Sequence, residues 1–127
     1  MTLTKEQMFE AELLNQQLQH IQEYMQRIDK QIAEVLAMRE ALAEFEKVAD
    51  GDEMLVPLAA GVFVKARATT DKTLQVNVGN GVVVPKNADG VRAMLAEQME
   101  DMRKYEEELH KQFDQALTRL QSIEKEA

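Results

Sequence analysis

Few side chains in this chain are equipped for covalent or acid–base chemistry. Ser122 is the only serine and falls near the end of a helical pattern, and no cysteine is present. Serine nucleophiles therefore lack a plausible setting, and disulfides and thiolate metal sites are excluded. The histidines are His20 and His110. Counted from the central segment they lie about 28 residues back and about 20 forward, so in an antiparallel helix pair they miss each other by about 12 Å. They read as surface histidines among glutamines and glutamates. Glu100–Asp101 and Glu106–Glu107–Glu108 could supply carboxylates for acid–base catalysis. Their interleaving with lysines instead marks a solvated helix face. Gly79–Asn80–Gly81, the only glycine cluster, lacks the following helix and the lysine of a phosphate-binding loop and reads as a hairpin turn. No catalytic residue, metal site or cofactor is expected, and the chain is not expected to be an enzyme.

The chemistry that remains is that of apolar binding. Met1, Leu3, Met8, Phe9 and Leu13 stand at the start of the chain, and Leu117, Leu120 and Ile123 near its end. Much of this is coiled-coil seam. The first helix is expected to be the longer, however, and to overhang, leaving Met1, Leu3, Met8 and Phe9 without a full partner. Methionine and phenylalanine at a mobile tip make an adaptable, poorly selective surface.

The elements that position these residues follow from the patterning. Thr4 and Gln7 form a T-x-x-Q capping box, which places a helix start near Lys5. Leu14, Leu18, Ile21, Met25, Ile28, Ile32 and Val35 then alternate spacings of four and three, a heptad seam. Arg39 interrupts it, and Met38, Leu42 and Phe45 continue on a slipped register. Asp50–Gly51 supplies a stop, so the first helix is expected over 5–49. A second helix, capped by Asn87 or Asp89, is expected over 88–125. Its seam of Val91, Leu95, Met102, Tyr105, Leu109, Phe113, Leu117, Leu120 and Ile123 is weaker, with Gln98 and Gln112 at expected core positions.

Between the helices, residues 54–86 form a β-patterned island holding both prolines. Val56, Leu58, Gly61, Val62 and Val64 are echoed twenty positions later by Val76, Val78, Gly81, Val82 and Val84. Each copy is strand, glycine-bearing turn, strand, which predicts two tandem β-hairpins. Pro57 places the first strand at a sheet edge or turns its N–H side outward. The Val82–Val83–Val84 run suggests burial on both faces. The predicted fold is α+β, mostly α: a long antiparallel coiled-coil hairpin, one domain over 1–127, with two β-hairpins inserted at its base. Isolated hairpins are marginal in water, and exposed edges invite pairing with other chains. The island is therefore expected to oligomerise through Val56, Leu58, Val62, Phe63, Val64, Leu74, Val76, Val78, Val82, Val83 and Val84.

Charge bounds the partners. Of the net −8, residues 1–49 and 89–127 contribute −4 each and residues 50–88 none. Acidic helices repel phosphate backbones, so no nucleic-acid partner is expected. No apolar run reaches the roughly 20 residues of a membrane span, and MTLTKEQMFEAELL lacks a signal-peptide pattern. The expected address is cytoplasmic, with no membrane partner.

The order helix, Val56–Pro57–Leu58, Gly61–Val62–Phe63–Val64, Val76–Asn77–Val78–Gly79–Asn80–Gly81–Val82–Val83–Val84, helix resembles the alpha-class subunits of archaeal prefoldin over the whole chain. Two hairpins point to the alpha class, since the beta class has one. The resemblance implies an ATP-independent co-chaperone in a hetero-hexamer of two alpha and four beta subunits. Its joined β-barrels would carry coiled-coil tentacles that hold unfolded polypeptides and deliver them to a group II chaperonin. Met1, Leu3, Met8, Phe9, Leu117, Leu120 and Ile123 would be client contacts at the tips. The alternative is a self-assembling coiled-coil scaffold or filament protein that uses the same β core.

Overall fold

The computed structural model describes residues 3–126, so Met1 lies outside the described residues. The element order is α1 (Lys5–Glu46), β1 (Glu53–Ala59), β2 (Val62–Arg67), β3 (Leu74–Gly79), β4 (Val82–Lys86) and α2 (Ala88–Glu126). The chain divides into two compact units, one comprising Met1–Val35 and Gln98–Ala127, the other Leu36–Glu97.

The first unit is an antiparallel helix pair. The capping box forms as its sequence demands: the Gln7 N–H donates to Thr4 Oγ1 at 3.1 Å, and the Thr4 N–H donates to Gln7 Oε1 at 2.9 Å. Ile21, Ile28 and Leu109 form the buried cluster, with Met25, Ile32, Met102 and Phe113 packed on it. Val35, Met99, Ala116 and Ile123 are also buried. The seam of α1 therefore follows its heptads, but that of α2 departs from the expected positions. From Leu95 the inward positions run Met99, Met102, Glu106, Leu109, Phe113, Ala116, Leu120, Ile123, an unbroken alternation of four and three. Gln98 and Gln112 are exposed and Tyr105 sits on the flank. The seam is regular, and it looked weak because a small alanine and a half-buried glutamate hold two of its places.

The expected overhang of α1 is also absent. Gln7 Nε2 donates to Glu126 Oε2 at 3.3 Å, so the two helix ends are level. One turn further in, the Arg119 guanidinium grips Glu10 through two hydrogen bonds, Nε–Oε1 at 2.7 Å and Nη2–Oε2 at 3.1 Å.

In the second unit α1 ends at Glu46, three residues short of the expected Ala49. The Lys47 and Val48 N–H groups turn back to the Glu44 and Phe45 carbonyls, and the Ala49 N–H donates to the Asp52 carboxylate at 2.8 Å. The last turn of α1 carries no basic residue of its own. Lys72, from the segment between the hairpins, supplies that charge: its ammonium donates to the Val48 carbonyl and lies 5.5 Å from the centre of the Phe45 ring. Gly51, at φ +86°, does not cap the helix but opens the first hairpin, its N–H donating to the Ala68 carbonyl at 2.8 Å. Leu42 is buried seven residues after Val35, so the seam does not slip at Met38, which is exposed. The slip comes after Leu42, where Phe45 rather than Glu46 turns inward. Glu46 instead pairs with Arg92. Asn87, not Asp89, caps α2, its Oδ1 accepting from the Gly90 N–H at 2.7 Å.

The hairpins are two separate two-stranded antiparallel sheets. Their registers repeat with a shift of twenty residues: Val56↔Val64 matches Val76↔Val84, Pro57↔Phe63 matches Asn77↔Val83, and Ala59↔Val62 matches Gly79↔Val82. Asn80 (φ 53°) and Gly81 (φ 74°) are both left-handed, the signature of a type I′ turn.

The Glu10–Arg119 contact generates a pH prediction. The hydrogen bond from Arg119 holds the Glu10 carboxyl below the usual glutamate range. A depressed folded-state pKa stabilises the fold above the unfolded value, about 4.3 for glutamate, and that contribution is lost as pH falls through the folded value. Both groups are near half exposed, so the effect is small and screened by salt. In low salt Glu10→Gln is expected to melt below wild type at pH 7 and to converge with it as the pH is taken below that range. A melting difference that persists unchanged into strong acid contradicts the assignment.

Candidate binding surfaces

The β island presents apolar side chains on the surface of its own unit. Leu55, Leu58, Val62, Phe63, Val78, Val82 and Val83 are each more than half exposed, and Val56 and Val64 more than a third. Alternation along the strands puts these residues on both faces of the ribbons. The two hairpins nonetheless differ. In the second, Leu74, Val76 and Val84 are half-buried, and Leu74 and Val76 line an apolar groove of about 410 Å³ with Met38, Leu42, Phe45 and Leu95. This face of the second hairpin therefore lies beside the helix ends of its own unit. The matching pair in the first hairpin, Val56 and Val64, stays open. Val82 and Val83, expected to be buried on both faces, are open within the chain because neither helix reaches them. Of the residues assigned to oligomerisation, Leu74, Val76 and Val84 thus also serve the unit's own packing, and the others are free to meet another surface.

In the coiled-coil unit the residues assigned to the tip separate into two groups. Met8, Phe9 and Leu13 are exposed, Phe9 at 64%. Leu3, Leu117 and Leu120 are half-buried. Ile123 is 0% exposed, so its assignment as a contact is corrected: it is a seam residue whose side chain is fully covered by the helix pair. The exposure of Met8 and Phe9 owes nothing to an overhang, because both lie off the inward face of α1. Sequence reasoning also missed a groove of about 410 Å³ between the helices of this unit, formed by Leu13, His20 and Tyr24 of α1 with Tyr105, Leu109 and Gln112 of α2. Tyr24 and Tyr105 are 46% and 48% exposed. The signal was present as two tyrosines standing one position before a seam residue on each helix, Tyr24 before Met25 and Tyr105 before Glu106.

The residues weighed for catalysis are not assembled into a site. His20 lies 3.8 Å from Glu23 on the same helix face. Glu100 is engaged by Lys104 at 3.2 Å. Among the described residues no group of three or more histidine, aspartate or glutamate side chains could hold a metal ion, and no helix is long and apolar enough to cross a membrane.

Comparison with known proteins agrees with this geometry. The family model described as Prefoldin subunit matches residues 14–127. The chain is 31% identical over 106 residues to the prefoldin subunit alpha of Methanococcus maripaludis, covering 84% of this chain and 72% of that protein. It is 29% identical over 115 residues to prefoldin subunit alpha of Thermofilum pendens, covering 91% and 89%. It is 30% identical over 115 residues to prefoldin subunit alpha 1 of Methanocaldococcus jannaschii, covering 91% and 78%. Among solved structures, a filamentous prefoldin from Methanocaldococcus jannaschii matches with a TM-score of 0.83 at 14% identity, over 93% of this chain and 98% of that one, and so shares the fold. Two long helices, two tandem hairpins with the same register and the matched family model together establish that the chain belongs to the prefoldin subunit family, in its alpha class.

Proposed function

We propose that the chain is a holdase co-chaperone subunit that acts without ATP in the cytoplasm. In this reading its hairpins join those of a second alpha subunit and of beta subunits in a closed β core. Its coiled-coil unit grips exposed apolar segments of unfolded polypeptides and releases them to a group II chaperonin. One observation carries the reading. Met8, Phe9 and Leu13 are apolar side chains that the helix pair leaves exposed, and they supply the surface this reading requires. Half of a methionine or phenylalanine side chain returned to an apolar contact is worth about 1 kcal/mol, enough for weak, reversible and unselective capture when several act together. Membership of a chaperone family supports the same conclusion.

A second reading keeps the β core and drops the clients: a self-assembling scaffold. One solved neighbour of similar fold is a filamentous prefoldin, and the bare ribbon edges supply what head-to-head growth requires. Light scattering separates the two readings. A discrete complex with a beta-type partner supports the co-chaperone, and elongation that rises with concentration supports the scaffold.

Two variants test the proposal. Met8→Ser with Phe9→Ser is expected to weaken suppression of client aggregation severalfold while leaving the assembly's mass unchanged; full protection by the double variant contradicts the role of these residues. Val83→Asp is expected to dissociate the assembly. Its side chain is 54% exposed in the chain, so the fold tolerates a carboxylate there, whereas a closed core would bury that charge without a partner. Val76→Asp is the poorer test, because Val76 also lines the groove beside its own helices. An intact assembly of Val83→Asp contradicts the closed core.

A further inference from the structure

Resting on the holdase reading, we propose that Tyr105, with Asp101 and Glu108, receives a lysine or arginine of the unfolded chain. The coiled-coil groove would then select segments in which a cation stands next to an apolar side chain. The groove offers both halves of that recognition. Ile21 and Leu109, both buried, form an apolar floor, and the wall mixes Leu13 and the two tyrosines with Gln16, Gln17, His20 and Gln112. A tyrosine face attracts a cation, and Tyr24 already shows the contact: the Arg27 guanidinium lies 5.5 Å from its ring centre. Tyr105 is as exposed as Tyr24, and among the described residues no cation sits over it.

The carboxylates around Tyr105 make its position the more receptive. Asp101 and Glu108 stand four residues before it and three after it, so they lie on the same face of α2. Both are exposed, and among the described residues neither is in an ion pair. Glu100, one residue before Asp101, is by contrast engaged by Lys104. The excess of acidic groups on both helices adds a field of the same sign, while residues 50–88 sum to zero. A cationic, apolar segment gains from the floor, the ring and the carboxylates together. A neutral apolar segment gains only from the floor and walls, and an anionic one is repelled.

The test uses the full chain in the assembly it forms with a beta-type partner. It measures the anisotropy of short fluorescent peptides in which leucine alternates with lysine, with glutamine or with glutamate. The lysine peptide is expected to bind tightest and the glutamate peptide weakest, with the difference shrinking as salt is raised. Tyr105→Leu keeps an apolar wall and is expected to reduce the lysine-over-glutamine preference by about two- to fivefold, the value of a cation on an exposed ring. Asp101→Asn with Glu108→Gln is expected to reduce it further, with glutamine-peptide affinity unchanged. A preference that survives both variants assigns the selectivity to overall charge and overturns the proposal, as does equal binding of the lysine and glutamine peptides. Binding of none of the three overturns the holdase reading itself. Since all three positions are exposed, the variants are expected to keep wild-type helicity, which circular dichroism verifies.

Discussion

A two-stranded ribbon has two edges, and among the described residues no other strand pairs with either edge of each hairpin. The same ribbons carry apolar side chains on their surfaces: Leu55, Leu58, Val62, Phe63, Val78, Val82 and Val83. Covering the exposed part of these side chains would be worth on the order of 10 kcal/mol per chain. That is comparable to the whole stability of an ordinary domain, about 5–15 kcal/mol. Neither helix reaches most of this surface, and in the proposed assembly strands and side chains of other subunits cover it.

The second hairpin shows how the chain prepares that surface. Its Leu74 and Val76 share a groove with the ends of the helices, and Lys72 ties the segment before it to the C-terminus of α1. Asn87 caps α2 immediately after β4, and Arg92 joins Glu46 across the helix pair. Hairpin and helix ends are thereby held by several independent contacts within one unit. The first hairpin, a register-for-register repeat, lacks the burial of the matching pair, and Val56 and Val64 stay open. Two copies of one register thus differ: one has its Leu74–Val76 face beside its own helices, and the other leaves the matching face exposed.

The fold was legible because its signals were local. A capping box, the a and d spacing of α1 and the twenty-residue echo around Gly61 and Gly81 each depend on residues close in sequence. What escaped depended on which residue of a neighbouring pair faces inward. Ala116 buries a small side chain where Leu117 offered more hydrophobicity, and Glu106 takes a seam place beside Tyr105, so counting apolar residues misread the register of α2. Ile123 was assigned to a contact surface because position along the chain does not reveal rotation about the helix axis. The overhang failed for a related reason: helix lengths do not fix where two helices are level, whereas Gln7 with Glu126 does. The tyrosine groove needs both helices in register before it exists, and no single stretch of sequence displays it.

The most direct measurement is hydrogen exchange of the hairpin amides, residues 54–58, 62–66, 74–78 and 82–86, followed across a dilution series alongside sedimentation. If the ribbons depend on other subunits, their protection falls with the assembled fraction, while the amides around Ile21, Ile28 and Leu109 keep theirs to lower concentration. Hairpin amides that stay fully protected in a species sedimenting as a single chain would contradict the account.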